Sequence, residues 1–390
     1  MTLKLNQVAR QIQTMGQDLA QQKPERDEAL VRAKRLLHNF ATEFSTLANL
    51  IDRAEKIDDR FGWVGAAPAG EPLDAAFSLP NCPEQITVIA SDGSQILPDQ
   101  HAIYPYYLIN IGSITYQHGS NQTPDPFNPE PDLNYQPFDD QGRLISSAEI
   151  NVQRDLGELA VLLNRVQQLD TPPQPVVTLL DGPLALRVID LPFDQQKQYQ
   201  TAYIEILTDL QRQQAWPAGY IDRPRSTYLL SLLHLASLAP ETLTEDALRR
   251  NPFRQLTDLD LFGFLEPGQR SALFAIKAKN LQRYAALGHA IHFFYLNVGR
   301  DKNTPVLARV EVPGWLAADK TSLEALHAVL VRQARLTGGY PYVLARADEL
   351  AVISSEERDA LEMMIGIEMR RQGLKPEISR KLQSKKSYRS

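Results

Sequence analysis

Two β-branched apolar runs end in the same dipeptide: ITVIAS leads into Asp92-Gly93-Ser94, and VVTLL leads into Asp181-Gly182. A strand terminus would fix each carboxylate at a sheet edge, while the glycine removes the Cβ that would keep a ligand or metal from the backbone. Asp-Gly is also the commonest turn dipeptide, so either copy taken alone reads as a turn. What raises the pair above that reading is a helical pattern between them that carries Glu158. Asp155 and Glu149 are rivals to Glu158 on or near the same helix. Acids gathered without bases raise each other's pKa, a cost that divalent cations remove. Two hard ions about 3.5–4 Å apart, held by oxygens, would activate a water and stabilise a leaving oxygen in phosphodiester displacement. Mg2+ or Mn2+ suits such donors; zinc would call for His and Cys, of which the 390 residues hold 7 and 1.

The elements that must position these acids follow from periodicity. Residues 2–57 carry apolar positions at helical spacing (Leu5, Val8, Ile12, Met15, Leu19, then Leu36, Phe40, Leu47, Ile51) interrupted at Lys23-Pro24, which predicts two helices forming an arm. A Pro- and Ala-rich connector, 66–85, leads into the first strand at Ile86. Residues 103–117 predict two further strands with a turn near Gly112, and 119–142, with five prolines and five acids but no base, predict an exposed loop. A long helix over 145–169 precedes the VVTLL strand. Beyond it come a helix through TAYIEILTDLQRQQ, a short strand in AGYIDRPRS and the helix TYLLSLLHLASL. The runs 289–299 and 304–317 predict an antiparallel pair, followed by a helix over 320–336 and a C-terminal helix from about Tyr342 to Arg371. This gives an α/β fold divided as an N-terminal helical region (1–65), a core (66–369) and a basic, disordered tail (370–390).

Charge narrows the partners. The net charge is −6, yet residues 370–390 hold eight bases and one acid, so that +7 leaves −13 on the rest. Such a tail would contact DNA phosphates or an acidic partner, or be a solvated end. No apolar run is long enough to cross a bilayer and the first residues lack a signal-peptide pattern, which places the chain in the cytoplasm. The single Cys82 excludes an internal disulfide and a cysteine-built zinc site.

The order strand Asp, helix Glu, strand Asp, C-terminal helix acid is the carboxylate pattern of RNase H-like nucleases. VIASDGSQ, LLDGPL, FFYLNVG, ARVEVPGW and GYPYVLARADE further resemble, in order and nearly in wording, the NurA domain over roughly residues 86–350. The resemblance implies an RNase H-like mixed sheet flanked by helices and a manganese-dependent, 5′ to 3′ DNA-end-processing nuclease. It also implies a homodimer that works with the hexameric ATPase translocase HerA. Asp92 and Asp181 match the family's first and second Asp, and Arg154 and Glu158 reproduce its R-x-x-x-E spacing. Asp348 stands where archaeal members carry His, which restores an all-acid metal set of Asp92, Glu158, Asp181 and Asp348. In the stretch 220–226, Arg223 and Arg225 would clamp a phosphate, with Asp222 as an extra ligand, or the stretch is a strand-to-helix junction capped by Ser226. Tyr340 would stack on a DNA base or belong to an aromatic core.

Other readings are weaker. His289 and His292 would point to opposite faces of a strand, and Glu311 would pair with Arg309. An actin-like ATPase would need D-x-G-[ST] where the chain has D-G-S, and no Walker A or nucleophile-elbow motif occurs. A non-enzymatic alternative is a scaffold for a HerA-like translocase.

Overall fold

The structure, a computed structural model, describes residues 4–57, 62–99, 104–138, 142–172 and 174–374. Two compact units divide the chain, Met1–Asn81 with Ile221–Ala328 and Cys82–Tyr220 with Val329–Ser390. The first unit opens with helices α1 (Leu5–Asn39) and α2 (Phe44–Ile57) and the short strands β1 (Gly65–Pro68) and β2 (Ala76–Phe77). The second begins with β3 (Ile86–Ile96), β4 (Tyr107–His118), β5 (Asp125–Phe127) and β6 (Asp132–Asn134). It continues with α3 (Ser147–Gln167), β7 (Val176–Asp181), α4 (Phe193–Arg212) and β8 (Ala215–Asp222). The first unit resumes with α5 (Tyr228–Ala236), α6 (Glu245–Arg249), α7 (Asp258–Leu261), β9 (Arg270–Ser271), β10 (Phe274–Lys277) and α8 (Gln282–Ala286). Strands β11 (Ile291–Asn297) and β12 (Leu307–Pro313) and helix α9 (Gly314–Ala318) follow. Helix α10 (Lys320–Thr337) leads back to the second unit, which closes with α11 (Tyr342–Ala351) and α12 (Ser355–Arg371).

In the second unit, β4 runs antiparallel to β3, β7 lies parallel to β3 on its other side, and β8 lies parallel to β7. Both β5 and β6 pair with the outer edge of β4. With the two short strands β5 and β6 counted together as the third strand of this unit, the order is 3-2-1-4-5, with the second strand reversed and a helix before each of the last two. That is the RNase H-like mixed sheet the sequence predicts. Residues 86–91 of β3 and 176–180 of β7 are buried on both faces, as parallel strands covered by helices must be, and this is why they read as continuous apolar runs. Helix α3 starts where the Ser146 side chain accepts from the Glu149 amide at 3.1 Å. It buries Ile150, Leu159, Leu162 and Val166 against the sheet.

Several local expectations change. Helix α1 runs through Pro24 and ends at Asn39. Proline removes one amide donor, a loss that is tolerated here because positions 20 and 24 are exposed and the freed carbonyl is open to solvent. The stretch 107–118 is one strand in which Gly112 pairs with Asp92 and makes no turn. The C-terminal helix is broken at 352–354, because Ser354 and Glu357 form a capping box: Ser354 Oγ accepts from the Glu357 amide at 3.1 Å, and the Ser354 amide donates to Glu357 Oε2 at 2.8 Å. The acidic loop contributes the two edge strands β5 and β6. Residues 375–390 of the expected tail lie outside the described residues.

The first unit pairs β11 with β12 in antiparallel register and β1 with β10. At its centre, Asp258 is fully buried and caps α5: the amides of Leu229 and Leu230 donate to its carboxylate at 3.1 and 3.0 Å, and the Tyr295 hydroxyl donates at 2.7 Å. Ser226 therefore does not cap α5, and its hydroxyl meets that of Tyr295 at 2.8 Å. Arg309 and Glu311 form the expected pair at 2.8 Å, both buried.

Burial pushes Asp258 up from 3.8 to about 6 in spite of its three donors. A carboxyl with a raised folded pKa contributes stability that is complete below its unfolded value and is lost as pH rises through the folded one. Asp258→Asn should thus flatten the loss of stability between about pH 4 and 6, a loss of up to about 3 kcal/mol in the parent. Urea midpoints across that range measure it; parallel profiles for the two proteins would contradict it.

Candidate functional site

Four acids from four elements of the second unit come to one end of its parallel strands. The last paired residues of β3 and β7 are Ser91 and Leu180. Asp92 and Asp181 come immediately after them, so in parallel register the two carboxylates leave adjacent strands on the same face. Strand β3 does not stop at Asp92 as the sequence implied. It continues to Ile96 as a ribbon with β4, so Asp92 sits at the edge of the parallel part of the sheet and within the antiparallel part.

Helix α11 brings Asp348 to the same place. Gly112, the partner of Asp92 in the β3–β4 ladder, lets the helix end press onto the strand, since a Cβ there would lie 2.6 Å from Leu350 Cβ and 2.7 Å from the Ala351 amide nitrogen. The orphan carbonyls at the end of α11 are then taken by side chains: Asn110 donates to the Ala351 carbonyl and Asn128 to that of Leu350, each at 2.8 Å, and Ser94 Oγ also donates to Ala351.

Helix α3 presents Glu158 from the opposite face of β3. Ser91 Oγ donates to the Glu158 carbonyl at 2.9 Å, which ties the helix backbone to the residue before Asp92. Gly93 supplies the space, because its Cβ would meet Arg154 Cγ at 2.7 Å and Glu158 Oε1 at 2.8 Å. The glycine of the first Asp-Gly thus admits the protein's own helix. That of the second works through its backbone, for Gly182 adopts φ +124 with open space around it.

The electrostatics follow from this crowding. Asp92 is pushed up to about 6, mainly by burial and further by Asp181 and Asp348, while the Gly93 amide pulls it down. Asp348 acts on Asp92 both through its charge and through a side-chain hydrogen bond, and both raise Asp92. Glu158, buried at 6% exposure, is raised well above the usual range by desolvation and then by Asp155, with Asp92 and Asp181 adding to it. Its Oε1 accepts no hydrogen bond among the described residues and faces Arg154 Nε at 3.2 Å. Of the three helix acids, Asp155 is engaged by Arg154 at 2.7 Å and Glu149 accepts from the Tyr199 hydroxyl at 3.1 Å. Glu158 is the one that feels both strand acids.

Tyr340 also belongs here. Burial, and then the charge of Asp181 and a hydrogen bond with it, raise its pKa, and its ring meets the edge of Tyr220 with centroids 5.6 Å apart. Arg154 is the residue whose part sequence reasoning missed. Besides Glu158 and Asp155 it reaches Gln95 Oε1 at 3.1 Å, and its guanidinium interacts with Asp92. The i,i+4 spacing with Glu158 was its visible trace. Arg223 and Arg225 are exposed and belong to the first unit; Arg223 has φ 43 and lies 3.9 Å from Asp222.

Among the described residues no three His, Cys, Asp or Glu side chains converge as a ready metal-binding group. No helix among these residues is long and apolar enough to cross a membrane.

The two glycines should differ in their tolerance. Gly112→Ala places its Cβ against backbone of α11, whereas Gly93→Ala meets the flexible Arg154 and Glu158 side chains. Gly112→Ala is expected to cost about 1–3 kcal/mol and more than Gly93→Ala. Denaturant midpoints decide it, and the reverse order would show that Gly112 does not seat α11.

The family model for the NurA domain matches residues 86–353, well over half of the chain and inclusive of all four acids. No curated protein matches the chain. Among solved structures, the catalytic domain of human endonuclease V is 15% identical over 72% of this chain and 84% of its own, with a TM-score of 0.30. An endonuclease V from Ciona intestinalis, in complex with a 23mer DNA containing an inosine, is 13% identical over 82% and 98%, again at 0.30. The C-terminal lobe of a budding yeast Argonaute is 12% identical over 68% and 46%, at 0.27. Likenesses at these TM-scores carry no weight, and the assignment rests on the family match: the chain belongs to the NurA-domain family of nucleases.

Proposed function

We propose that this protein is a divalent-metal-dependent deoxyribonuclease whose ligands are Asp92, Glu158, Asp181 and Asp348. The observation that carries the reading is that Asp92 is driven to about 6 by burial and by two neighbouring carboxylates. Such a cluster is relieved by a cation, and the donors fit a hard one: all are carboxylate oxygens, and buried Glu158 Oε1 accepts no hydrogen bond among the described residues. Mn2+ or Mg2+, two ions per site, suits that set, and binding must turn at least one side chain because no three converge beforehand. When bound, the metal supplies a water of lowered pKa and charge stabilisation for a leaving 3′-oxygen.

The chain's own groups prepare this. Asp92, whose pKa the cluster raises, loses its proton on becoming a ligand beside Asp348. The Tyr340 hydroxyl orients Asp181, and Arg154 restrains Glu158 while its guanidinium remains directed into the acid cluster. Family membership supports DNA ends as substrate, 5′ to 3′ exonuclease action with single-strand endonuclease action beside it, and a role in end resection and double-strand break repair. The reading further takes from the family resemblance a homodimer working with a HerA-like translocase in the cytoplasm. In the same reading Arg223 and Arg225 bind substrate phosphates and Tyr340 contributes to substrate binding. The absence of a converged trio among the described residues favours a second reading, a weakened nuclease retained as a partner of the translocase.

One experiment separates the two. Purified protein should degrade linear DNA with Mn2+ and stop on chelation, and Asp92→Ala and Asp181→Ala should each lower the rate about 100-fold or more. Equal rates in all three proteins would rule out catalysis at this site, while no DNA degradation by the parent would favour the partner role.

A further inference from the structure

The connection from Asp181 to α4 carries side chains that the core does not use. Leu184, Leu186, Val188 and Leu191 are buried, while Arg187 and Ile189 between them are exposed. Phe193, the first residue of α4, is 79% exposed, the most of any large apolar side chain among the described residues. The connection is braced: the Leu191 amide donates to the Val188 carbonyl at 3.0 Å, and Gln196 Nε2 donates to the Leu191 carbonyl at 2.7 Å. An aromatic ring held out into water on a braced segment adds nothing to packing, so it calls for an occupant.

Topology puts that ring beside the acids. Strands β7 and β8 are parallel, so α4, which joins them, starts at the edge where β7 ends in Asp181. Only Gln213 and Gln214 separate its last residue from Ala215, the partner of Val176, so its far end is level with the start of β7. A helix of 20 residues is about 30 Å long, whereas residues 176–181 span roughly 17 Å, and the first turns of α4 therefore rise about 10 Å past the carboxylate edge. Helix α4 packs there beside α3, the helix of Glu158, for the Tyr199 hydroxyl donates to Glu149 Oε1 at 3.1 Å. A DNA strand cut at the acids passes this wall. The charges of residues 187–197 cancel, Arg187 and Lys197 against Asp190 and Asp194, with Asp190 3.5 Å from Arg187. Charge therefore does not select the occupant here; a flat apolar ring does, and the flat apolar faces of a nucleic acid are its unpaired bases. We propose that Phe193 is a platform on which an unpaired base of the DNA strand stacks next to the cleavage site, which makes single-stranded DNA or a frayed end the form engaged. This rests on the reading of the four acids as a nuclease site.

Binding by the full-length chain in the presence of a chelator tests this without asking for catalysis. The parent should bind a short oligothymidylate, Phe193→Ala should weaken that binding about 5–150-fold, and Phe193→Trp should retain it. The loss should persist at raised salt, because stacking is not screened. A strand of the same length that lacks bases should bind the parent and Phe193→Ala equally, since its phosphates are unchanged. Equal affinity of the parent and Phe193→Ala for oligothymidylate would overturn the proposal and leave the ring to a protein surface. An equal loss on the abasic strand would overturn it too, because Phe193 would then only support the shape of its segment. Mn2+-dependent degradation of linear DNA is measured separately. Degradation by a parent whose DNA binding ignores Phe193 sinks the platform alone, and base-dependent binding without degradation sinks the nuclease reading alone.

Discussion

Repulsion among carboxylates held at one sheet edge is the constraint around which the second unit is organised. Asp92 and Asp181 are forced together by the register of β3 and β7, and α11 adds Asp348 to the same face. Such a group is costly in a partly dry environment, and the fold meets the cost in two ways. Asp92 is held protonated to a higher pH than a free carboxyl, and the Arg154 guanidinium is set among Asp92, Asp155 and Glu158. Both devices are replaceable by a cation. Those interactions mark a site held ready rather than one completed.

The first unit treats a buried acid differently. Asp258 receives two helix amides and a tyrosine hydroxyl, so its lone pairs are occupied by rigid neighbours. Buried Glu311 is matched with Arg309, whose guanidinium also lies 5.2 Å from the Tyr228 ring. A satisfied network such as that around Asp258 fixes a core. Glu158 has an oxygen without a hydrogen bond among the described residues and faces its arginine at ion-pair distance. The contrast between the saturated acid and the unsaturated one separates structure from chemistry more clearly than burial does, because both are buried.

Close approach is the means by which distant segments reach the site. Gly93 and Gly112 lie in adjacent strands and open opposite faces of the sheet, one to α3 and one to α11. Gly219 plays the same part in β8, where a Cβ would lie 2.5 Å from the Gly182 carbonyl in the turn after Asp181. Polar side chains of the strands then hold what the glycines admit: Ser91 the backbone of α3, and Ser94 and Asn110 the end of α11.

The sequence by itself determined the RNase H-like order of elements, because strands buried on both faces and an amphipathic helix between them leave patterns that periodicity detects. It also determined the acids worth watching, since apolar runs ending in Asp-Gly are local features, and the motifs that lead to the family are local too. Tertiary structure alone decided that Gly112 seats a helix instead of turning a strand, that Ser226 bonds Tyr295 while Asp258 caps α5, and that α1 runs through Pro24. It also decided that Arg154 is directed into the acid cluster and that Glu158 reaches Asp92 across the strand. Each of these depends on groups far apart in the chain whose distance is fixed by packing, and no local pattern encodes a distance of that kind.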